Sequence, residues 1–178
     1  MDYVIRPVKR SDLEAINKIY NREIRDGTAT WHTEEWSESE RLDWFITHTA
    51  TDSQPIFVCT EEGGEDEKLL GFSYLTDYRG SRGGFKYTRE STVYVDIEYQ
   101  RRGIGKQLLS CLIEEARRLG LHVLIAWIDS SNIGSILLHK DLNFERIGIE
   151  PETGYKFGKW RSNIEMSLLL DFESHDKS

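Results

Sequence analysis

The chain has 178 residues, 38% hydrophobic and 11% aromatic, with a formal charge of −8 at pH 7 and a pI near 5.2. That length predicts one domain with a sizeable core, here residues 1–172, with a frayed tail from Glu173. The acidic balance argues against general nucleic-acid binding, and no apolar run approaches the roughly 20 residues of a membrane span.

Tyr3 to Arg6 reads as a first strand, ended by Pro7. Ser11 and Glu14 have capping-box spacing ahead of a helix with Leu13, Ile16, Ile19 and Tyr20 on one face. Ser37 to His48 predicts a second helix with Leu42, Phe45 and Ile46 as its apolar face. Pro55–Thr60 and Leu69–Thr76 predict two strands, joined by a charged turn over Glu61–Lys68. Asp77–Lys86 is a loop with Gly80, Gly83 and Gly84 beside Arg79 and Arg82. Farther on, His122–Ile128, Phe144–Ile149 and Ile164–Leu170 predict strands, and Asn132 stands where a cap would open a short helix running to His139. Cys59 and Cys111 are too few for a disulfide framework and are expected as reduced, packed thiols. The five histidines lack metal-ligand spacing. Met1-Asp2 leads directly into a short strand without a signal-peptide pattern, so a cytoplasmic protein is expected.

The informative stretch is Val93 to Lys106. Thr92, Val93, Tyr94 and Val95 are β-branched or aromatic, as in a central strand. A polar linker reaches Gln100-Arg101-Arg102-Gly103-Ile104-Gly105-Lys106, and from Ile104 apolar residues recur at helical spacing as far as Gly120, a plausible C′ stop. A strand, a basic glycine turn and a helix N-terminus together suit a polyphosphate, because first-turn N–H groups lack partners and the helix dipole favours negative charge. A P-loop would need Ser or Thr after the lysine, and Gln107 stands there; a dinucleotide fingerprint would need a third small residue where Leu108 stands. Both fail.

The pattern Q/R-x-x-G-x-G/A after a strand resembles the acyl-CoA loop of the GNAT acetyltransferase superfamily. Ile5-Arg6-Pro7, Ile19-Tyr20-Asn21, Thr28-Ala29-Thr30-Trp31, Glu90-Ser91-Thr92-Val93-Tyr94-Val95, Leu138-His139 and Gly154-Tyr155-Lys156-Phe157-Gly158-Lys159-Trp160 resemble, in order, the branch holding phosphinothricin and methionine sulfoximine N-acetyltransferases. The resemblance spans about residues 3 to 170. It implies the α/β (α+β) GNAT fold: a mixed sheet of six to seven strands, splayed at its centre and flanked by about four helices. It further implies acetyl-CoA as cosubstrate, no metal, a small amino-acid-like acceptor and a homodimer.

Acetyl transfer to an amine needs placement, a polarised thioester carbonyl and loss of the amine proton; it needs no covalent enzyme intermediate. By resemblance Glu90 is the general base, with a salt bridge to neighbouring Arg89 as the bland alternative. His139 stands where many GNAT enzymes carry a tyrosine that protonates the leaving thiolate, and a packed histidine is its alternative. The backbone of Val93, Tyr94 and Val95 is expected to meet the pantetheine arm as an added strand. Gln100, Arg101, Arg102, Gly103, Ile104, Gly105 and Lys106 would hold the phosphates. Asn132 and Ser135 would meet the pantetheine region, although Asn132 also suits a helix cap. Trp31, Thr92 and Glu90 would line the acceptor pocket, Arg79 would hold the acceptor carboxylate as a bidentate fork, and Tyr155, Lys156 and Trp160 would shape the pocket near a dimer interface. A protein N-terminus or a polyamine is the rival acceptor, and a CoA-sensing module without catalysis is the rival from another class.

Overall fold

A computed structural model describes residues 3–62, 67–80 and 82–170. The tail expected from Glu173 and the tip of the Glu61–Lys68 turn lie outside the described residues. Seven strands form one mixed sheet in the order β1-β2-β3-β4-β5-β7-β6. They are β1 (Tyr3–Pro7), β2 (Ile56–Glu61), β3 (Leu69–Asp77), β4 (Thr88–Val95), β5 (Val123–Asp129), β6 (Glu145–Lys156) and β7 (Lys159–Leu169). Four α-helices accompany them: α1 (Leu13–Asp26), α2 (Glu38–Thr49), α3 (Ile104–Arg118) and α4 (Ile133–Asp141). The expected architecture is therefore present.

The centre of the sheet positions everything else. All pairs are antiparallel except β4 and β5, which run parallel and are joined through α3. Their ladder covers only Thr88↔Val123, Arg89↔Leu124 and Glu90↔Ile125. Past Glu90 the two strands part, so Ser91–Val95 keeps its pairing with β3 but not with β5. β4 begins at Thr88, four residues before the expected start, and this puts Glu90 inside the strand.

Two apolar layers enclose the sheet. On one face Leu109, Leu112 and Ala116 of α3 pack on Leu124, Ile128 and Met166. On the other, Ile16, Ile19 and Tyr20 of α1 pack on Val58, Phe72 and Tyr94. Each fully buried aliphatic or aromatic side chain contributes about 1.5–3 kcal/mol. Helix α3 ends as its sequence predicts: Gly120 has φ +68°, its N–H reaches Arg117 O at 3.0 Å, and Leu121 N–H reaches Ala116 O at 3.0 Å, a Schellman stop.

Three expectations are corrected. Ser11 does not cap α1; a 3-10 turn over Arg10–Asp12 leads in, where the Asp12 carboxylate accepts from Lys9 N–H at 2.6 Å and pairs with Arg6 at 2.8 Å. The cap moved because that buried carboxylate also meets a guanidinium, which a serine hydroxyl cannot match. Helix α2 opens on Ser37 in a capping box with Glu40, but its inward residues are Arg41 and His48, while Ile46 is 56% exposed. The polar residues win because an aromatic cage of Tyr20, Trp36 and Trp44 surrounds the guanidinium. Finally, the last two strands are longer than expected, forming one hairpin whose turn residues Phe157 and Gly158 have φ +54° and +72°. Positive φ at both central positions is the primed turn that matches strand twist.

Candidate active site

The parting of β4 and β5 opens a cavity of about 350 Å³. Its walls are residues 91–94 of β4, residues 126–129 of β5, the loop 28–32 after α1, Tyr20, Tyr74, and Asn132, Ser135 and His139 from the α4 region. Glu90 lies at the point of divergence and lines the cavity.

Burial raises the Glu90 pKa above the usual carboxylate value; a backbone hydrogen bond from Arg79 and the Arg79 charge oppose this, and Glu165 adds to it. Arg89 is not its partner. That guanidinium faces elsewhere, 3.3 Å from Asp77 and donating to the carbonyls of Ser53, Lys86 and Thr88. A half-buried carboxylate with a raised pKa beside a cavity is the environment of a proton acceptor.

His139 is 3% exposed, with its ring edge-on to Phe144 at 4.9 Å between centroids. Its Nδ1 is 2.8 Å from the Ser135 carbonyl oxygen, which can only accept, so Nδ1 carries the proton and Nε2 carries the lone pair. Nε2 is buried without a partner among the described residues. Burial lowers the pKa of this imidazole, which keeps it neutral.

The glycine turn has the form of an anion cradle. Arg101 and Gly103 have φ +61° and +84°, and the first helical bond runs from Gln107 N–H to Gly103 O at 3.1 Å. The N–H groups of Ile104, Gly105 and Lys106 thus precede any helical acceptor. Ile104 is buried and anchors the turn, and a Cβ on Gly105 would lie 3.3 Å from Leu138 and 3.4 Å from Val95. Gln100 donates to Val95 O at 3.2 Å, Arg102 lies over the Tyr99 ring, and Lys106 is 3.6 Å from Asp141. Exposed Arg101, Arg102 and Lys106 at this helix N-terminus are the donor set an anion takes, and Gly105 lets the turn pack close against Leu138 and Val95.

Val93, Tyr94 and Thr92 line the cavity, whereas Val95 packs inward beside Ile104 and Leu108. Asn132 both lines the cavity and caps α4, its Oδ1 accepting from Ser135 N–H at 3.1 Å. Trp31 is a wall residue whose indole N–H donates to Asn163 Oδ1 at 3.1 Å. Arg79 is exposed with φ +51° and its guanidinium over Tyr78.

Lys156, Tyr155 and Trp160 do not line this cavity. Lys156 is buried and donates to the carbonyls of Glu23, Gly27 and Thr30 at 3.2, 2.8 and 3.0 Å, so it clamps the wall loop from behind. Tyr155 and Trp160 face outward, 57% and 63% exposed. Sequence reasoning also missed Tyr20, Tyr74, His32 and Asp129 as wall residues, and Arg41 behind them. Tyr20 was legible only as part of an apolar face, and Asp129 is tied to Ser131 and Arg161 by contacts that no motif announces.

A divergent parallel pair, a helix N-terminal turn ringed by exposed cations and a half-buried carboxylate at the cavity suit acyl transfer from a phosphate-bearing thioester to an amine. Residues 16–144 match the acetyltransferase (GNAT) family. The L-methionine sulfoximine/L-methionine sulfone acetyltransferase of Pseudomonas aeruginosa is 40% identical over 171 residues, 96% of each chain. The phosphinothricin N-acetyltransferase of Streptomyces coelicolor is 30% identical over 88% of this chain and 90% of its own. Among solved structures, a GNAT superfamily phosphinothricin acetyltransferase from Sinorhizobium meliloti in complex with acetyl-CoA has a TM-score of 0.89 at 32% identity, covering 96% of this chain and 89% of its own. The chain belongs to the GNAT family and is an N-acetyltransferase.

Proposed function

We propose that this enzyme transfers the acetyl group of acetyl-CoA to the α-amine of a small amino acid or analogue of the methionine sulfoximine, methionine sulfone or phosphinothricin type. The observation that carries this reading is Glu90, a half-buried carboxylate at the crotch of the splayed strands. The Ile104–Lys106 cradle holds the phosphates, and the free edge of β4 at Val93 to Val95 takes the pantetheine arm as an added strand. Bound there, acetyl-CoA supplies an activated thioester. Glu90 accepts the amine proton, directly or through water, as the nitrogen attacks the carbonyl and the C–S bond then breaks. His139 at rest offers a lone pair at Nε2, so it can protonate the departing thiolate only after gaining a proton itself. Arg79, beside Glu90, takes the acceptor carboxylate as a bidentate fork.

One observation favours a small acceptor over a polyamine. The walls carry two carboxylates, Glu90 and Asp129, and Asp129 is already paired with Arg161 at 3.2 Å. A polyamine site would keep such charges free. The hairpin of β6 and β7 exposes Ile147, Ile149, Tyr155, Phe157 and Trp160, which supports a homodimer formed through that surface.

The test is CoA release across methionine sulfoximine, methionine sulfone, phosphinothricin, ordinary amino acids, a polyamine and a short peptide. Turnover confined to amino acids and their analogues is expected. Turnover of the peptide or polyamine alone would replace this reading, and tight CoA binding without turnover of any acceptor would make the protein a sensor.

A further inference from the structure

Arg41 is 1% exposed, yet it forms no ion pair among the described residues. Its guanidinium carbon lies 4.5 Å from the ring centroid of Tyr20, 4.4 Å from Trp36 and 4.7 Å from Trp44. Its Nε donates to Asn17 Oδ1 at 3.2 Å, and one terminal nitrogen is buried without a partner. Aromatic faces attract a cation but do not neutralise it, and a buried charge without a counter-charge is a rarity that calls for a reason.

The position of Arg41 supplies one. Tyr20, which it covers, is a cavity wall, and the Tyr20 hydroxyl bonds to Thr30 Oγ1 at 3.1 Å and to His32 Nδ1. Thr30 and His32 are walls too. Behind the same loop Lys156 is a second buried cation, held by three carbonyl oxygens and the Phe157 ring. Two cations that form no ion pair among the described residues therefore back one wall in a chain of net charge −8. Both charges are felt at the cavity wall: burial, then Arg41 and Lys156, lower the pKa of His32, with Glu40 opposing them.

We propose that Arg41 is a positioning residue for the acceptor: through Tyr20, Thr30 and His32 it selects side chains that end in an electron-rich oxygen group, such as a sulfone, sulfoximine or phosphinate. The inference rests on the amino-acid reading above and adds what distinguishes one amino acid from another. The α-amine goes to Glu90. Tyr20, Thr30 and His32 line the same cavity as Glu90, which leaves them to meet the rest of the acceptor.

Methionine and methionine sulfone share amine, carboxylate and chain length and differ by two oxygens. Calorimetric binding of each to the CoA-saturated enzyme gives a sulfone-to-methionine affinity ratio without requiring turnover. The ratio should exceed one in the wild type, fall by about tenfold in Arg41→Met, and be largely restored in Arg41→Lys. Tyr20→Phe keeps the ring beneath the guanidinium but removes the hydroxyl link; it should lower the ratio as well, and it decides the matter with Arg41→Lys if Arg41→Met does not fold. A merely structural Arg41 would weaken both ligands alike and leave the ratio unchanged, which would overturn the proposal. So would a wild-type ratio near one, or a loss seen for both acids but absent for methionine sulfone carboxamide, since that would place the charge on the α-carboxylate. Preference for the sulfone without turnover of any acceptor would sink the reaction assignment while leaving this selection intact.

Discussion

Trp31 lies flat against Gly154: a Cβ at position 154 would fall 2.0 Å from the indole Cζ3. The loop wall and the β6–β7 hairpin are thus keyed together where only glycine fits, and the indole N–H bond to Asn163 fixes the ring in its plane. Gly154→Ala is expected to displace Trp31, destabilise the fold by about 1–3 kcal/mol and raise the acceptor KM on the order of tenfold. Acetyl-CoA binding should stay unchanged, because the cradle at Gly103 to Lys106 is formed by other elements. Thermal unfolding together with KM for both substrates checks this; an unchanged acceptor KM would remove Trp31 from the wall's working surface.

Glu90→Gln separates chemistry from stability. Loss of a general base should lower kcat by about 10²–10⁴ and spare acetyl-CoA affinity. The folded pKa of Glu90 is raised by burial, so the folded state holds its proton more tightly than the unfolded state. Near neutral pH the ionised carboxylate therefore opposes folding, and the glutamine variant should be the more stable protein. That gain should vanish as pH falls below the unfolded carboxylate pKa. In the wild type, kcat/KM should decline on the acid side at a pH above the ordinary glutamate value. A variant that is both active and no more stable would falsify the base assignment.

The fold was largely legible because its periodicities are strong. Leu108, Leu109, Leu112 and Ala116 recur at helical spacing and all face the core, and Gly120 ends the helix as a Schellman glycine. Of the candidate site, Glu90 and His139 were legible from local sequence, and the structure brings both to one cavity, with Glu90 inside β4 rather than ahead of it. What could not be read depends on partners far away in the chain. Lys156 meets carbonyls 126 to 133 residues away, and no local pattern distinguishes that clamp from a pocket lysine. Arg41 sits among apolar residues of an amphipathic helix, and Tyr20, which joins Trp36 and Trp44 around its guanidinium, becomes a neighbour only after α1 and α2 pack.

Lys156→Met carries this argument to an experiment. It takes the Lys156 donor from the carbonyls of Gly27 and Thr30, while Glu23 O keeps the Gly27 N–H at 3.0 Å, and each such loss costs about 1–3 kcal/mol. Thermal unfolding should show a larger loss than Gly154→Ala, and the acceptor KM should rise with it because the same loop is released. A direct substrate contact would instead raise KM with stability preserved.

Two buried histidines set an acid limit. Burial is the main cause that lowers the pKa values of His48 and His139, and each donates Nδ1–H to a carbonyl four residues earlier. Below the unfolded histidine pKa of about 6.5 the unfolded chain takes up protons that the folded chain refuses, so stability falls as pH drops toward the lowered folded values. Denaturant unfolding between pH 7.5 and 5 should show this slope, and His48→Gln should reduce it without touching the cavity. His139→Gln should reduce the slope too and also lower kcat.

The outward residues of the β6–β7 hairpin give the last prediction. Tyr155 and Trp160 are cross-strand partners with ring centroids 5.0 Å apart, and both are more than half exposed. Aromatic residues in such number on one edge hairpin are costly in water unless covered. Sedimentation should therefore report a dimer for the wild type. Trp160→Glu should dissociate it by placing a charge where an apolar ring is buried between copies. The Trp31–Gly154 contact lies on this same hairpin, so dissociation is expected to loosen the wall loop and raise the acceptor KM, with acetyl-CoA affinity unaffected. A wild-type monomer would remove the interface, and a dissociated variant with full activity would show that each cavity is complete within one chain.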